Sequence, residues 1–314
     1  MSKIIFFTDL HHGGNIIAPP PQDISIWGHD WGLPLLRAMI NYGEKTPETT
    51  MIHGGDEVTF LHADTLTERE KKHFSPRDVT QRYLKNAHQI KNLMLSARLP
   101  FARVMGNHDP IRNIDEMGFN RFSHIFSRSA LPHTDIVICQ PIVRREGKAQ
   151  FEYNADHVIA TIDEATNPNL IIGSHWALDR EELGISGQNG YSYTDNTAPI
   201  RDHIETKLKH GKLHSVVSLH GHSHRFRLGQ SGPIDMLTMP SIVQNDRTMP
   251  DFPCGLFAEI EENSETGKLT IAYKRMMLQD SEGEKYVVQG VSKDTISQYQ
   301  RGRKPAGSRM RYGR

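Results

Sequence analysis

Residues 3–11 read KIIFFTDLH, and the interpretation of the whole chain starts from this stretch. The apolar run KIIFFT at 3–8 predicts a strand that is buried on both faces. Asp9 and His11 follow the run and are separated by one residue, so both side chains can turn toward one ion from the loop at the strand end. The opening of the chain therefore predicts a core strand whose end carries metal-binding chemistry.

Four further polar motifs follow predicted strands along the chain. They contribute one more bridging-type carboxylate, several imidazoles and one amide, which together suffice to hold two divalent metals side by side. Glycines begin three of these motifs, where they permit tight turns. The predicted strands and their motifs are 50–53 with Gly55-Asp56, 101–105 with Gly106-Asn107-His108-Asp109, 170–173 with Ser174-His175-Trp176, and 213–219 with Gly221-His222-Ser223-His224.

The chemistry of these residue types points to phosphate ester hydrolysis. Asp56, at the end of the second strand, is a natural place for a carboxylate that bridges two ions. Two ions about 3.5–4 Å apart can clamp the attacking and leaving oxygens of an in-line displacement and lower the pKa of a bound water. His108 has a different expected role. With Asp109 beside it, His108 is suited to stay protonated and to stabilise phosphoryl charge or protonate the leaving alkoxide.

The order of helix and strand patterns predicts the fold class. Strands and helices alternate early and strands dominate later, which indicates two packed β-sheets with outer helices. The clearest helix is 75–98, where apolar residues recur at helical period. We place the main domain at 1–280 and a C-terminal extension at 281–314 with a disordered basic tail. Further predictions are helices at 34–42 and 200–210, a loop at 15–31, and strands at 135–139, 151–154, 157–162, 234–239, 255–260 and 269–273.

The ordered motifs resemble those of the calcineurin-like metallophosphoesterases, over roughly residues 3–273. One motif alone is a weak signal, but five in order after apolar strands form a specific pattern. The resemblance implies an α+β fold, a four-layer α/β/β/α sandwich of two mixed β-sheets flanked by helices. It also implies two transition metal ions, divalent or trivalent (manganese, iron or zinc), and a catalytic role for His108 with Asp109 beside it. The implied ligands are Asp9, His11, Asp56 and His224 for one ion, and Asp56, Asn107, His175 and His222 for the other.

Within this family the motif order and spacing are most similar to those of class III cyclic-nucleotide phosphodiesterases. The segment 240–244 also resembles their closing β-element. Two positions depart from the pattern. Glu57 directly follows the bridging Asp, and His175 lies in Ser174-His175-Trp176-Ala177 rather than in a His-His-Pro run. We expect both departures to line the substrate side of the site.

The amino-acid composition limits the classes of binding partner and the cellular compartment that we expect for this chain. Lys+Arg and Asp+Glu both number 37, and this balance argues against a general binder of nucleic acid or membrane surfaces. Cys139 and Cys254 follow no metal-ligand spacing and fit ordinary thiols of a cytosolic chain. The apolar run at the N-terminus is too short for a signal peptide, and no stretch is long enough to span a bilayer. We expect a cytoplasmic protein that acts on a small phosphoester, and family likeness makes a homodimer plausible.

The sequence leads to a dinuclear phosphodiesterase whose first substrate class is a cyclic nucleotide or a similar small diester. Phosphomonoesters and phosphonate esters are alternatives within the same superfamily. A metal-binding scaffold without catalysis is another class of explanation, but such relatives usually lose the catalytic His or a ligand, and all are present here. A nuclease predicts a basic surface, and only the short tail 301–314 offers one.

Overall fold

The computed structural model describes residues 2–12, 31–46, 48–58, 75–106, 109, 131–144, 150–179, 197–224, 226–243 and 255–295. These described residues form two large β-sheets, one two-stranded sheet and four helices. The helices are α1 (Gly32–Glu44), α2 (Pro76–Ser96), α3 (Ala155–Glu164) and α4 (Ala198–Lys209). The strands are β1 (Lys3–Phe7), β2 (Thr49–His53), β3 (Phe101–Arg103), β4 (Thr134–Cys139), β5 (Pro141–Arg144), β6 (Gln150–Tyr153), β7 (Asn169–Ser174), β8 (Ser215–His220), β9 (Arg227–Ser231), β10 (Ile234–Thr238), β11 (Leu256–Glu262), β12 (Leu269–Leu278) and β13 (Tyr286–Val291).

Both large sheets are mixed. The first has the order β13-β12-β11-β1-β2-β3, with β1, β2 and β3 parallel and the other neighbours antiparallel. The second has the order β4-β7-β8-β10-β9, in which only the edge strand β9 is antiparallel to its neighbour. Strands β5 and β6 pair with each other as the two-stranded sheet. The parallel strands β1, β2, β7 and β8 are buried along almost their whole length because both of their faces are covered.

Three apolar clusters separate four layers of structure. The central cluster joins residues of both large sheets, for example Ile4 and Ile52 from the first and Ile171 and Val217 from the second. A second cluster packs α1 and α2 on the outer face of the first sheet, and a third packs α3 and α4 on the outer face of the second. The predicted α/β/β/α sandwich of two mixed sheets flanked by helices is therefore confirmed.

One predicted strand was wrong, because residues 157–162 form the middle of helix α3. The Asn154 side chain caps this helix by accepting the backbone N–H of His157 at 3.2 Å. Val158 and Ile162, four residues apart, then pack together into the third cluster. A short apolar run does not distinguish a strand from a buried helix face, and here the cap and the four-residue spacing decide.

Three strands were not predicted from sequence. β5, β9 and β13 are short or edge strands with mixed polarity, so their apolar signal is weak. β13 lies beyond residue 280 and pairs with β12 along its whole length, so residues 286–291 of the predicted extension are part of the first sheet. The predicted loop at 15–31, apart from Trp31, and the tail after residue 295 lie outside the described residues.

The parallel strands point their carboxyl ends toward one edge of the sandwich. β1, β2 and β3 reach this edge in the first sheet, and β7 and β8 reach it in the second. All five sequence motifs begin at the last residue of these strands or within three residues after it. In the part of the chain that the structure describes, no helix combines the length and the apolar composition that crossing a membrane requires.

Candidate metal centre

Backbone hydrogen bonds extend the β1–β2 pairing into the loops that carry the first two motifs. Asp9 donates its N–H to the carbonyl of Gly55 at 2.9 Å, and His11 donates to the carbonyl of Asp56 at 2.9 Å. The two loops therefore leave the sheet side by side. This pairing brings the side chains of Asp9, His11 and Asp56 to one point, although 47 residues separate the two aspartates along the chain.

The first ligand group consists of Asp9, His11, Asp56 and His224, which are all buried. The Nε2 atoms of His11 and His224 lie 2.9 Å apart. Asp9 Oδ1 lies 3.2 Å from Nε2 of His224 and 3.6 Å from Nε2 of His11, and Asp56 Oδ2 lies 3.7 Å from the latter. Four potential donor atoms thus converge within 4.8 Å of one another.

The second ligand group consists of Asp56, His175 and His222, so it shares Asp56 with the first. The Nδ1 atom of His175 lies 2.8 Å from the carbonyl oxygen of Gly54, an acceptor, so Nδ1 carries the proton in that contact. The Nε2 atom then faces Asp56 Oδ2 at 3.3 Å. A backbone carbonyl that fixes the tautomer and orientation of an imidazole is the usual support of a metal-ligating histidine.

Several of these residues adopt strained backbone conformations. The non-glycine residues with positive φ among the described residues are the five ligand candidates Asp9, His11, Asp56, His222 and His224, together with Glu48. A left-handed conformation costs a non-glycine residue about 1 kcal/mol or more and persists where the surrounding structure enforces it. The concentration of this strain at one cluster marks the cluster as a functional site.

Two motif glycines are required by close approach to the ligand carboxylates. A Cβ atom on Gly106 would overlap Oδ1 and the backbone nitrogen of Asp56, and one on Gly221 would overlap Oδ2 of Asp9. Backbone therefore lies against each carboxylate where any side chain would displace it. The glycines of these two motifs serve the site directly as well as forming turns.

The electrostatics of the cluster favour a bound cation. Burial opposes protonation of His175, but the carboxylates of Asp56 and Asp9 outweigh it and raise the pKa of this imidazole to about 9. Burial also opposes the charged form of Asp9, yet the imidazoles of His224 and His11 hold the pKa of its carboxyl well below the usual value. Removal from water and the nearby His175 lower the pKa of His222 to about 3, which leaves that imidazole neutral and able to donate a lone pair.

The donor set fits a pair of metal ions. Asp9 Oδ2 accepts hydrogen bonds from the Thr8 hydroxyl at 2.6 Å and the His222 N–H at 3.1 Å. The other oxygen, Oδ1, is buried and accepts no hydrogen bond from the described residues while facing the imidazoles of the first group. Carboxylate and imidazole donors in two groups that share one carboxylate match the coordination preferences of manganese, iron and zinc.

Asp109 has contacts that the sequence did not predict. Its Oδ2 accepts the backbone N–H groups of Asp56 at 2.9 Å and Gly106 at 2.8 Å, and its Oδ1 accepts that of Glu57 at 2.8 Å. Both carboxylate oxygens therefore fasten the backbone of the shared ligand Asp56. The predicted contact with His108 stays a prediction, because Asn107 and His108 lie outside the described residues.

A buried ion pair supports the same loop. The Arg103 guanidinium on β3 contacts the Glu57 carboxylate directly, and its Nη2 lies 3.8 Å from Asp109 Oδ2. All three side chains are buried. A charged residue inside the apolar run FARVM at 101–105 is the sequence signal that predicts such an ion pair.

The two departures from the family pattern, at Glu57 and in Ser174-His175-Trp176-Ala177, were expected to line the substrate side, and Glu57 and Trp176 are both buried. Glu57 is 2% exposed and points to Arg103, and Trp176 is 6% exposed and packs against the ligand imidazoles. At both departures from the family pattern, the side chain therefore packs against other buried residues next to the ligands. Of the two histidines that flank ligands, His220 is buried with Nδ1 at 2.8 Å from the Ser174 hydroxyl, and His12 forms a β-bridge with Val58.

The anchoring role of Asp109 predicts the effect of Asp109→Asn. The new NH₂ group would face backbone N–H donors, and Arg103 would lose one of its carboxylate partners. We expect the free energy of unfolding of the metal-free protein to fall by about 2–4 kcal/mol. Urea denaturation measures this loss. We also expect weaker metal binding, since the backbone of Asp56 would no longer be held.

Asp135→Asn is the matched control. Asp135 is fully buried, and its carboxylate likewise accepts the backbone N–H groups of Thr166 and Asn167, at 2.8 and 2.9 Å, but far from the ligand groups along β4. Both variants should lose stability, and only Asp109→Asn should lose metal affinity. Equal metal affinity in the two variants would contradict the anchoring role.

The fold and the geometry define the class of the protein, a β-sandwich with a candidate dinuclear metal centre at the carboxyl ends of its parallel strands. Comparison with known proteins agrees. The family model described as calcineurin-like phosphoesterase matches residues 2–226. The chain therefore belongs to the calcineurin-like phosphoesterase family. A comparison with curated proteins finds no match.

Comparison with solved structures gives matches at low sequence identity, and the first of those described next shares the fold. A dimetal phosphatase from Danio rerio is 12% identical with a TM-score of 0.56, over 87% of this chain and 95% of that chain. A predicted phosphoesterase from Streptococcus pneumoniae is 12% identical with a TM-score of 0.33, over 92% of this chain and 98% of that chain. A 5'-nucleotidase from Candida albicans is 11% identical with a TM-score of 0.40, over 86% of this chain and 50% of that chain.

Proposed function

We propose that the protein is a dinuclear metal-dependent phosphodiesterase that hydrolyses a cyclic nucleotide or a similar small phosphodiester. The observation that carries the proposal is the pair of ligand groups that share the Asp56 carboxylate. A shared carboxylate is the arrangement expected for two ions that act together on one phosphoryl group. The order and spacing of the motifs, which resemble class III cyclic-nucleotide phosphodiesterases, support a diester as the first substrate to test.

In this proposal the residues of the chain divide into three tasks. Asp9, His11, Asp56 and His224 hold one ion, and Asp56, Asn107, His175 and His222 hold the other. Bound ions supply Lewis-acid polarisation of the phosphoryl oxygens and a water of lowered pKa. His108 donates a hydrogen bond to the phosphoryl group or a proton to the leaving alkoxide. Asp109 and Arg103 hold the backbone that presents Asp56.

Metal analysis is the first test of the proposal. Protein purified without chelator, and then reloaded with Mn²⁺, Fe²⁺ or Zn²⁺, should contain close to two equivalents of transition metal per chain. Removal of the ions with a chelator should abolish hydrolysis, and their return should restore it. Failure of every metal to restore hydrolysis would count against the mechanism.

A substrate panel is the second test. Bis-aryl phosphate, aryl monophosphate, aryl phosphonate and cyclic nucleotides separate the reaction classes within the superfamily. We expect the diesters to be hydrolysed with the highest kcat/KM. Preference for the monoester would replace the proposal with a phosphatase. Loading of two metals without hydrolysis of any substrate would favour a metal-binding scaffold.

A further inference from the structure

Trp176 lies directly behind the second ligand group. Its ring centroid is 4.8 Å from that of His175 with an interplanar angle of 87°, and 5.6 Å from that of His222 with an angle of 53°. The two imidazoles themselves are 5.0 Å apart at 69°. The three rings therefore form a compact aromatic group in which each ring contacts the other two.

The position of Trp176 is fixed by hydrogen bonds from two different strands. Its backbone N–H donates to the Tyr153 hydroxyl at 3.0 Å, and that hydroxyl lies 3.2 Å from its carbonyl oxygen. The Ser174 hydroxyl also donates to this carbonyl, at 3.0 Å. The Tyr153 ring packs against the indole at 6.2 Å. The hydrogen bonds therefore fix the backbone of Trp176, and its buried indole packs among the rings of Tyr153, His175 and His222.

The burial of Trp176 excludes a direct contact between its ring and a substrate. The residue is 6% exposed, so its ring is not available to stack on a substrate. His222, in contrast, is half-buried. Any influence of Trp176 on the reaction must therefore pass through the orientation of the His175 and His222 rings.

We propose that Trp176, held by Tyr153, is a positioning residue for the second metal ion. The indole restricts the ring orientations of His175 and His222, so that their nitrogens stay aimed at the point shared with Asp56. The first ligand group is supported differently, since the Thr8 hydroxyl and the backbone N–H of His222 hold the Asp9 carboxylate. The inference rests on the proposed dinuclear centre. It adds that the second ligand group has its own supporting residue.

Titration of metal-free protein with Mn²⁺, followed by calorimetry, tests this inference. Wild-type protein should bind two ions. Trp176→Leu keeps apolar bulk but removes the aromatic edge, and it should keep the first ion while its affinity for the second falls by about 10–100-fold, the usual effect of losing an orienting partner. The EPR signal of a magnetically coupled Mn²⁺ pair should disappear in parallel. Trp176→Phe restores an aromatic ring and should recover most of the second binding event.

Two further variants keep the test decisive. Tyr153→Phe keeps the ring but removes the hydroxyl that bonds to the Trp176 backbone, and it should lower the affinity for the second ion by a smaller factor than Trp176→Leu. This variant provides the test if Trp176→Leu does not fold. Phe257→Leu truncates another fully buried aromatic residue, on β11, and should leave both affinities unchanged. Wild-type affinity for the second ion in folded Trp176→Leu overturns the inference. Fewer than two ions in the wild type instead overturns the proposed function.

Discussion

Asp56→Asn is expected to bind at most one metal ion tightly and to lose about 10³-fold or more in kcat. The reason is that the Asp56 carboxylate contributes its negative charge to both ligand groups. An Asn side chain offers one neutral oxygen in place of two charged ones. Asn also adopts the left-handed conformation that Asp56 has, at φ 55°, more readily than most residues. The substitution therefore removes the charge and leaves the backbone in place.

The measurement combines metal content with steady-state kinetics. Circular dichroism and urea denaturation establish that the variant folds. Asp135→Asn, which removes another fully buried carboxylate charge, should retain two ions and most of kcat. Retention of both ions with wild-type kcat in Asp56→Asn would show that the two groups do not work through a shared bridge.

His108→Ala should reduce kcat by about 10²–10⁴-fold, the range for loss of a general acid or base, while metal content stays near two equivalents. The residue itself lies outside the described residues, but its neighbours Gly106 and Asp109 are fixed against Asp56. In the proposed mechanism His108 acts on the substrate and does not hold an ion, so metal content is the control for its substitution.

Substrates whose leaving groups differ in pKa distinguish the two roles proposed for His108, which are proton donation to the leaving group and stabilisation of phosphoryl charge. A proton donor matters most for a poor leaving group, so the loss in His108→Ala should be larger for an alkyl ester than for a nitrophenyl ester. A residue that stabilises phosphoryl charge should affect both esters equally. Loss of one metal from His108→Ala would contradict both tasks and make His108 a ligand.

Much of the fold was accessible from the sequence because its parallel strands are buried on both faces. β1, β2, β7 and β8 are buried along almost their whole length, and their positions were predicted to within one or two residues. The misassigned segment 157–162 shows the limit of this signal. A six-residue apolar run satisfies either a strand or one face of a helix, and the Asn154 cap decided between them.

The sequence predicted which residues form the candidate site, but it did not predict which residues hold them in place. Six of the seven predicted ligands converge in the structure, namely Asp9, His11, Asp56, His175, His222 and His224. Asn107 lies outside the described residues. Asp109 and Trp176 lie inside the predicted motifs, but the sequence did not show that they support the ligands. Arg103 could have been suspected as a charge within an apolar run, whereas the role of Trp176 depends on which way its ring packs.

The sequence by itself determined the buried parallel strands, the order of the polar motifs and therefore the class of site. These features are local, since apolar runs and short spacings are properties of neighbouring residues. Only the tertiary structure decided how the site is held together. The contact between His11 and His224 joins residues 213 apart, and the hydrogen bond from Asp56 to Asp109 joins residues 53 apart. The first contact arises from the packing of two sheets and the second from the pairing of β2 with β3, and neither has a signature in the local sequence.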